Sequence, residues 1–229
     1  MKKLIIIPAY NESESIEGTI THVLSLAGDF DYIIINDCST DDTADICRRN
    51  GYHMLDLPVN LGIGGAVQTG YWYALENGYD MAVQVDADGQ HDISYLSKMV
   101  EYMEQKDADL VIGSRFIDKK GFQSSALRRM GITYFTWLIH VLTKVTITDP
   151  TSGFRLANRK VIREFAYDYP RDYPEPESAV LLIRKGYRIE EVPVEMKERQ
   201  GGASSIHGRR SVYYMIKVTL AILVEWVRK

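Results

Sequence analysis

The chain has 229 residues, a formal net charge of −4 and two cysteines, with 45% hydrophobic and 25% charged residues. This length and apolar fraction support one large core with at most an appendage, and without a run of like charge no nucleic acid is expected as a partner. Cys38 and Cys47 lack C-x-x-C spacing and read as reduced thiols of a cytosolic protein, while the opening apolar run ends at Pro8, too short for export, and none approaches the roughly 20 residues that cross a bilayer.

Residues 4–7 are a run of β-formers, followed by Pro8-Ala9-Tyr10-Asn11-Glu12 and then by Ile16, Ile20, Val23 and Leu24 at helical spacing. Asn11 with Glu14 has the form of a helix-capping pair, and Ser13 is an equally good cap. A second strand over 32–35 stops in a polar stretch, 36–43, that over-supplies caps to the next helix without requiring Asp37. A short strand over 53–57 leads into the glycine cluster 60–66, and an apolar helix follows to Asn77-Gly78. Glycines before a helix let amides approach a phosphate, but no Gly-Lys-Ser/Thr follows and the dinucleotide fingerprint fails, which disfavours a nicotinamide dehydrogenase.

The strand Val83-Gln84-Val85 then ends abruptly in Asp86-Ala87-Asp88-Gly89-Gln90-His91. Carboxylates are not buried without partners, so the acids should emerge at the carboxyl edge of the sheet, where open α/β sheets hold ligands. Asp86 and Asp88 point the same way in extended chain and suit one Mg2+ or Mn2+ shared with substrate phosphates; an ordinary acidic turn is the other reading. His91 reads as a cap for the next helix.

A helix through Ile93, Leu96, Val100 and Met103 precedes a strand over 110–112, and strand–helix alternation to this point predicts a mostly parallel α/β sheet. Residues 118–131 are polar, with Arg128-Arg129 before an apolar helix over 132–142. Residues 149–155 form a polar turn, with Asp149 near the site and Arg155 open to a surface salt bridge; 167–177 reads as an irregular loop, 178–185 as a helix and 188–194 as a strand. Residues 199–205 form a loop of phosphate-friendly residues. On the last helix Lys217, Arg228, Tyr214 and Glu225 share one sector and Ile216, Leu220, Ile222, Leu223, Val224, Trp226 and Val227 the remainder. Such a helix suits a membrane surface or a membrane protein, or it packs on its own domain or on a second copy in a homo-oligomer.

In order, Pro8-Ala9-Tyr10-Asn11-Glu12, Asn36-Asp37-x-Ser39-x-Asp41, Asn60-x-Gly62-x-Gly64-Gly65, Asp86-Ala87-Asp88-Gly89-Gln90-His91, Gly113-Ser114-Arg115, Ser152-Gly153-Phe154-Arg155 and Arg199-x-x-Gly202-x-Ser204 resemble the family 2 glycosyltransferases, most of all the polyprenyl-phosphate hexose synthases of the dolichyl-phosphate mannose synthase group. The resemblance implies a GT-A nucleotide-diphospho-sugar transferase fold, with a catalytic domain over 1–210 and an appended docking helix over 211–229. It implies that Pro8, Ala9, Tyr10, Glu12, Asp37, Gly65 and Ala87 belong to the nucleotide-sugar site, with Asp86 on the ribose and sugar side and Arg199 and Ser204 in a loop closing on the diphosphate. It gives Asp88 and Gln90 as metal ligands, Arg115 with Arg128 or Arg129 as the acceptor-phosphate arginines, and Asp149 as an acid facing the acceptor. Ser205 replaces the lysine that many relatives have, and the paired C-terminal membrane helices of many relatives are missing.

The expected activity is inverting, metal-dependent transfer of a hexose from a UDP- or GDP-sugar to a polyprenyl phosphate at the cytoplasmic membrane face. A phosphate acceptor is already ionised, so alignment by arginine matters more than a base; for a sugar-hydroxyl acceptor, the alternative, Asp149 would be the base. A non-catalytic nucleotide-sugar sensor is the third expectation.

Overall fold

The structure, a computed structural model, describes residues 1–120, 126–197 and 209–228. Arg199 and Ser204, expected to close on the diphosphate, lie outside the described residues.

The strands are β1 (Lys3–Ala9), β2 (Phe30–Asn36), β3 (Met54–Asp56), β4 (Met81–Gln84), β5 (Leu110–Ser114), β6 (Arg155–Asn158) and β7 (Ile189–Pro193). They form one sheet in the order β3-β2-β1-β4-β6-β5-β7. Among the described residues only β6 is reversed, pairing antiparallel with both β4 and β5. The chain winds outward from β1 through β2 to β3 and then returns to β4 on the other flank of β1, and such a reversal opens a crevice at the strands' carboxyl ends.

Helices α1 (Ile16–Leu26), α2 (Thr43–Arg49) and α4 (Leu96–Lys106) cover one face. Helices α3 (Gly62–Glu76), α5 (Ala126–Thr143), α6 (Arg159–Tyr167), α7 (Pro174–Arg184) and α8 (Arg209–Val227) cover the other. The pleat of β1 divides its isoleucines between the two: Ile5 and Ile7 pack with Ile16, Ile20 and Met99, whereas Leu4 and Ile6 pack with Val67, Tyr71 and Phe135. Each of the four β1 side chains is fully buried, worth about 1.5–3 kcal/mol apiece. Burial on both faces explains an apolar run without alternation.

Several elements depart from the sequence reading. The glycine cluster is not a loop before α3 but its first turn, because Asp37 caps it, accepting from the amides of Leu61 (2.6 Å) and Gly62 (2.9 Å). The stretch read as a loop to residue 177 turns helical at Pro174, which takes the first helical position where its missing N–H costs nothing. Helix α5 starts at Ala126, within the segment read as polar connection. Strand β6 and helix α6 are short and adjoin directly, with Asn158 ending one and capping the other through Lys160 and Val161. Asn11 does not cap α1; it has φ +56° and accepts from the Thr40 amide at 2.8 Å, tying the β1 loop to the β2 loop.

Helix α8 is seated with much of its polar sector turned inward. Glu225 is buried against Arg184 (2.8 Å) and Arg228 (3.3 Å), Lys217 pairs with Asp172 (2.6 Å) and Arg228 with Asp168 (3.2 Å). Val218 and Ile222 enter the core, while Ile216, Leu220, Leu223, Val224 and Val227 stay exposed. Among the described residues no helix is long and apolar enough to cross a membrane.

Candidate active site

The predicted acids gather at the carboxyl edge of the sheet, around the crevice between β1 and β4. Ala9 closes β1 with its carbonyl on the Asp37 amide (2.9 Å), so the ends of β1 and β2 are tied together, with Tyr10 half exposed beyond them. Glu12 accepts from the Ser15 hydroxyl at 2.7 Å, and its amide donates to Thr43 Oγ1 at 2.9 Å. Asp37 is buried and occupied by the start of α3, and the Gly64 amide donates to the Arg171 carbonyl at 3.0 Å. A Cβ on Gly64 would lie 2.2 Å from the Pro170 carbonyl oxygen and one on Gly65 2.5 Å from Leu61 Cβ. These glycines serve helix and backbone packing, and the amides of Gly62 and Gly64 are already committed.

Beyond β4, Asp86 is fixed from three sides. Gln84 Nε2 donates to its Oδ1 at 3.0 Å, its amide donates to His91 Nδ1 at 3.0 Å, and His91 Nε2 stands 3.6 Å from its Oδ2. His91 is therefore not the helix cap read from sequence. Asp92 fills that place, accepting from the Ser94 amide, while His91 is buried and stacked on Phe154. Gly153 lets the 149–155 turn close over the same spot: a Cβ there would meet Gln84 Nε2 at 2.8 Å and the Asp86 carboxylate at 3.3 Å.

Thr19 Oγ1 holds the Ala87 carbonyl at 2.8 Å, Asp88 is almost buried with Oδ1 accepting from the Gln90 amide at 3.0 Å, and Gly89 takes φ +75° to make the turn. Residues Met196 and Lys197 pair with this turn, the Lys197 amide donating to the Gln90 carbonyl at 3.0 Å. Lys197 thus lies beside Gln90. These donors are hard oxygens, with both cysteines elsewhere, which fits Mg2+ or Mn2+ completed by substrate phosphates and water. No cluster of three or more His, Cys, Asp or Glu ligands occurs among the described residues, so those residues alone do not form a closed cage.

Across the crevice, Arg115 and Asp149 form a two-pronged ion pair, Nε to Oδ2 at 2.6 Å and Nη2 to Oδ1 at 2.7 Å, with Asp149 fully buried and Arg115 nearly so. Glu191 braces it from behind, accepting from the amides of Thr148 (2.7 Å) and Asp149 (2.9 Å); burial pushes its pKa up. Arg128 opens α5 on the same side. Desolvation first, and then the neighbouring charge of Arg115, hold its guanidinium below its ordinary pKa. Arg128 and Arg129 are both exposed, and Arg128 is the one on which the charges of Arg115 and Asp149 act.

Arg155 is the largest fully buried side chain, not a surface salt-bridge partner. Its guanidinium donates to the carbonyls of Ser152 (2.7 Å), Pro150 (2.8 Å) and Glu175 (2.7 Å) and to Ser178 Oγ (3.0 Å), so it locks the 149–155 turn to the start of α7. That lock brings in Glu175, which sequence reasoning placed in a loop. Burial raises its pKa, Arg155 works in the opposite direction, and the charges of Asp86 and Arg128 both act on it. No side chain among the described residues bonds its carboxylate. The acid-rich Pro-Glu-Pro-Glu start of α7 was the signal that could have found it.

An oxygen-rich sheet edge at the winding reversal, with the Arg115–Asp149 pair across from it, fits a nucleotide-sugar transferase of the GT-A fold. The chain matches the family model described as Glycosyl transferase family 2 over residues 4–165 and belongs to that family. It is 31% identical over 217 residues to the undecaprenyl-phosphate mannosyltransferase of Micrococcus luteus, covering 91% of this chain and 88% of that protein. It is 28% identical to the polyprenol monophosphomannose synthase of Mycolicibacterium smegmatis, covering 98% and 86%. Among solved structures, glucosyl-3-phosphoglycerate synthase from Mycobacterium tuberculosis, crystallised with Mn2+, uridine diphosphate and phosphoglyceric acid, superposes with a TM-score of 0.71 at 20% identity over 98% of this chain and 78% of that one. The protein is a hexosyltransferase of family 2.

Proposed function

We propose that this enzyme transfers a hexose, with inversion, from a UDP- or GDP-sugar to a polyprenyl phosphate at the cytoplasmic membrane face. The observation that carries the reading is the Arg115–Asp149 fork, whose charges also act on Arg128: arginines gathered there suit an anionic acceptor, and the Micrococcus luteus and Mycolicibacterium smegmatis relatives are polyprenyl-phosphate enzymes by description.

The nucleoside lies over the ends of β1 and β2, against Pro8, Ala9, Tyr10 and Glu12, with Asp37 holding the start of α3 in place beneath it. Asp86, oriented by Gln84 and His91, faces the ribose and sugar. Asp88 and Gln90 would hold Mg2+ or Mn2+, which when bound supplies positive charge for the departing diphosphate. Arg199 and Ser204, outside the described residues, are the further groups assigned to that diphosphate. Arg115 and Arg128 align the acceptor phosphate for in-line attack on the anomeric carbon. A phosphate monoester is ionised near neutrality and needs no base, which assigns Asp149 to holding Arg115 rather than to taking a proton.

Transfer to a sugar hydroxyl is a second reading, favoured by Glu175, a carboxylate with raised pKa beside Asp86. The test is an assay of purified protein with Mg2+ or Mn2+, a panel of labelled nucleotide sugars and detergent-dispersed polyprenyl phosphate. Label in an organic-extractable, acid-labile product is expected; label only in acid-stable glycan supports the second reading, and nucleotide binding without turnover marks a sensor.

A further inference from the structure

Helix α8 sets a tyrosine between the first turns of α5 and the start of α7. The ring of Tyr214 meets Tyr173 edge to face at 4.6 Å and Phe135 at 5.9 Å, so two neighbours at right angles fix its plane. Gly131 makes the approach possible, because an added Cβ would lie 3.0 Å from the sulfur of Met215, the next residue of α8. One turn further on, Lys217 latches the helix, pairing with Asp172 at 2.6 Å and lying over the Tyr173 ring at 5.7 Å. Arg128, Gly131 and Phe135 are spaced i, i+3 and i+7, so Arg128 stands on the face of α5 that receives Tyr214 and Met215.

This ring is more than packing. Tyr214 is half-buried, and no group among the described residues hydrogen-bonds its hydroxyl, whereas Tyr79 and Tyr187 donate to Asp31 (2.9 Å) and Glu164 (3.2 Å). Burial first, and then the charge of Glu175, push the phenol above its ordinary pKa, while Arg128 and Arg115 act in the opposite direction. The phenol is therefore neutral at pH 7 and has a proton to donate. A phosphate monoester offers three strong acceptor oxygens, more than a guanidinium held at its angle by Asp149 takes up alone.

We propose that the Tyr214 hydroxyl donates a hydrogen bond to the acceptor phosphate, as a third ligand next to Arg115 and Arg128. The proposal deepens the reading of a polyprenyl-phosphate acceptor and rests on it. The two guanidiniums supply the charge, and the hydroxyl fixes the rotation of the phosphate so that one oxygen faces the anomeric carbon. Helix α8 is then a wall of the acceptor site rather than an appended docking element.

The test is steady-state kinetics of the full chain with one donor and one metal, on a detergent-dispersed polyprenyl phosphate and on the same polyprenol. Tyr214→Phe keeps the ring and removes the hydroxyl. Its kcat/KM for the phosphate should fall about tenfold or more, with the donor KM, the melting temperature and the use of the polyprenol unchanged. The inhibition constant of geranyl phosphate, a soluble competitor of the acceptor, should rise by the same factor, and that of geraniol should not move. An unaltered kcat/KM for the phosphate in Tyr214→Phe would overturn the proposal and leave the acceptor reading standing. An equal loss with phosphate and polyprenol would also overturn it, since that marks a packing role. A wild type that uses the two acceptors alike would overturn the acceptor reading itself, and the role of the hydroxyl with it.

Discussion

Asp149 presents both carboxylate oxygens to Arg115, at 2.6 and 2.7 Å, with no part of the aspartate open to solvent. A carboxylate so engaged is badly placed to accept a proton from an acceptor hydroxyl and well placed to fix the angle of a guanidinium. Asp149→Asn keeps the shape and removes the charge. Loss of one partner from a buried pair costs about 3–5 kcal/mol, so the melting temperature should drop. The acceptor kcat/KM should fall while the shape of the pH–rate profile is kept; disappearance of its acidic limb would mark Asp149 as a base.

Gly153→Ala tests Asp86. The added Cβ would sit 2.8 Å from Gln84 Nε2 and 3.3 Å from the Asp86 carboxylate, so one of them must move. A displacement of this size at the donor should lower kcat/KM about tenfold or more with the melting temperature little changed. Steady-state kinetics at varied donor will show it. Unaltered kinetics would take Asp86 off the donor side.

Glu175 supplies a pH signature. Its pKa in the folded protein is raised, with burial the largest cause, so the native state holds its proton more tightly than the unfolded chain. Stability should therefore decline as pH rises from the ordinary carboxylate value of 4.5 through the folded value, and level off above it. Glu175→Gln removes this decline. Denaturant unfolding at several pH values should show the variant more stable than the wild type near pH 8, with the gap closing toward pH 4.5. With a polyprenyl phosphate acceptor, the variant should also keep its pH–rate profile.

Much of the site could be read in the sequence because strand ends announce themselves: an apolar run stopping in Asp86 and Asp88, or in Asp37, leaves few places for the acids except the carboxyl edge. Arg115 follows β5 for the same reason. What could not be read was which partner each group takes. Asp37 proved to cap α3, and nothing local in Gly62-x-Gly64-Gly65 shows that its amides go to Asp37 and to the carbonyl of Arg171, 107 residues further along the chain from Gly64. Arg155 looked like a surface residue because its acceptors are backbone carbonyls at 150, 152 and 175, which carry no sequence signal. Helix α8 was legible as amphipathic, but amphipathicity does not say which face turns inward. Its ion pairs to Asp168, Asp172 and Arg184 fixed that.

The most direct measurement compares two acceptors that differ only in the phosphate. With one donor and one metal, kcat/KM is determined for a polyprenyl phosphate and for the same polyprenol, in the wild type and in Arg115→Ala. The wild type should prefer the phosphate by about a thousandfold or more, and Arg115→Ala should lose most of that preference, since a guanidinium aligned by Asp149 offers the phosphate charge and a charge-assisted hydrogen bond that favour it over the alcohol. Equal use of the alcohol, or a preference untouched by Arg115→Ala, would contradict an acceptor phosphate held at the Arg115–Asp149 fork.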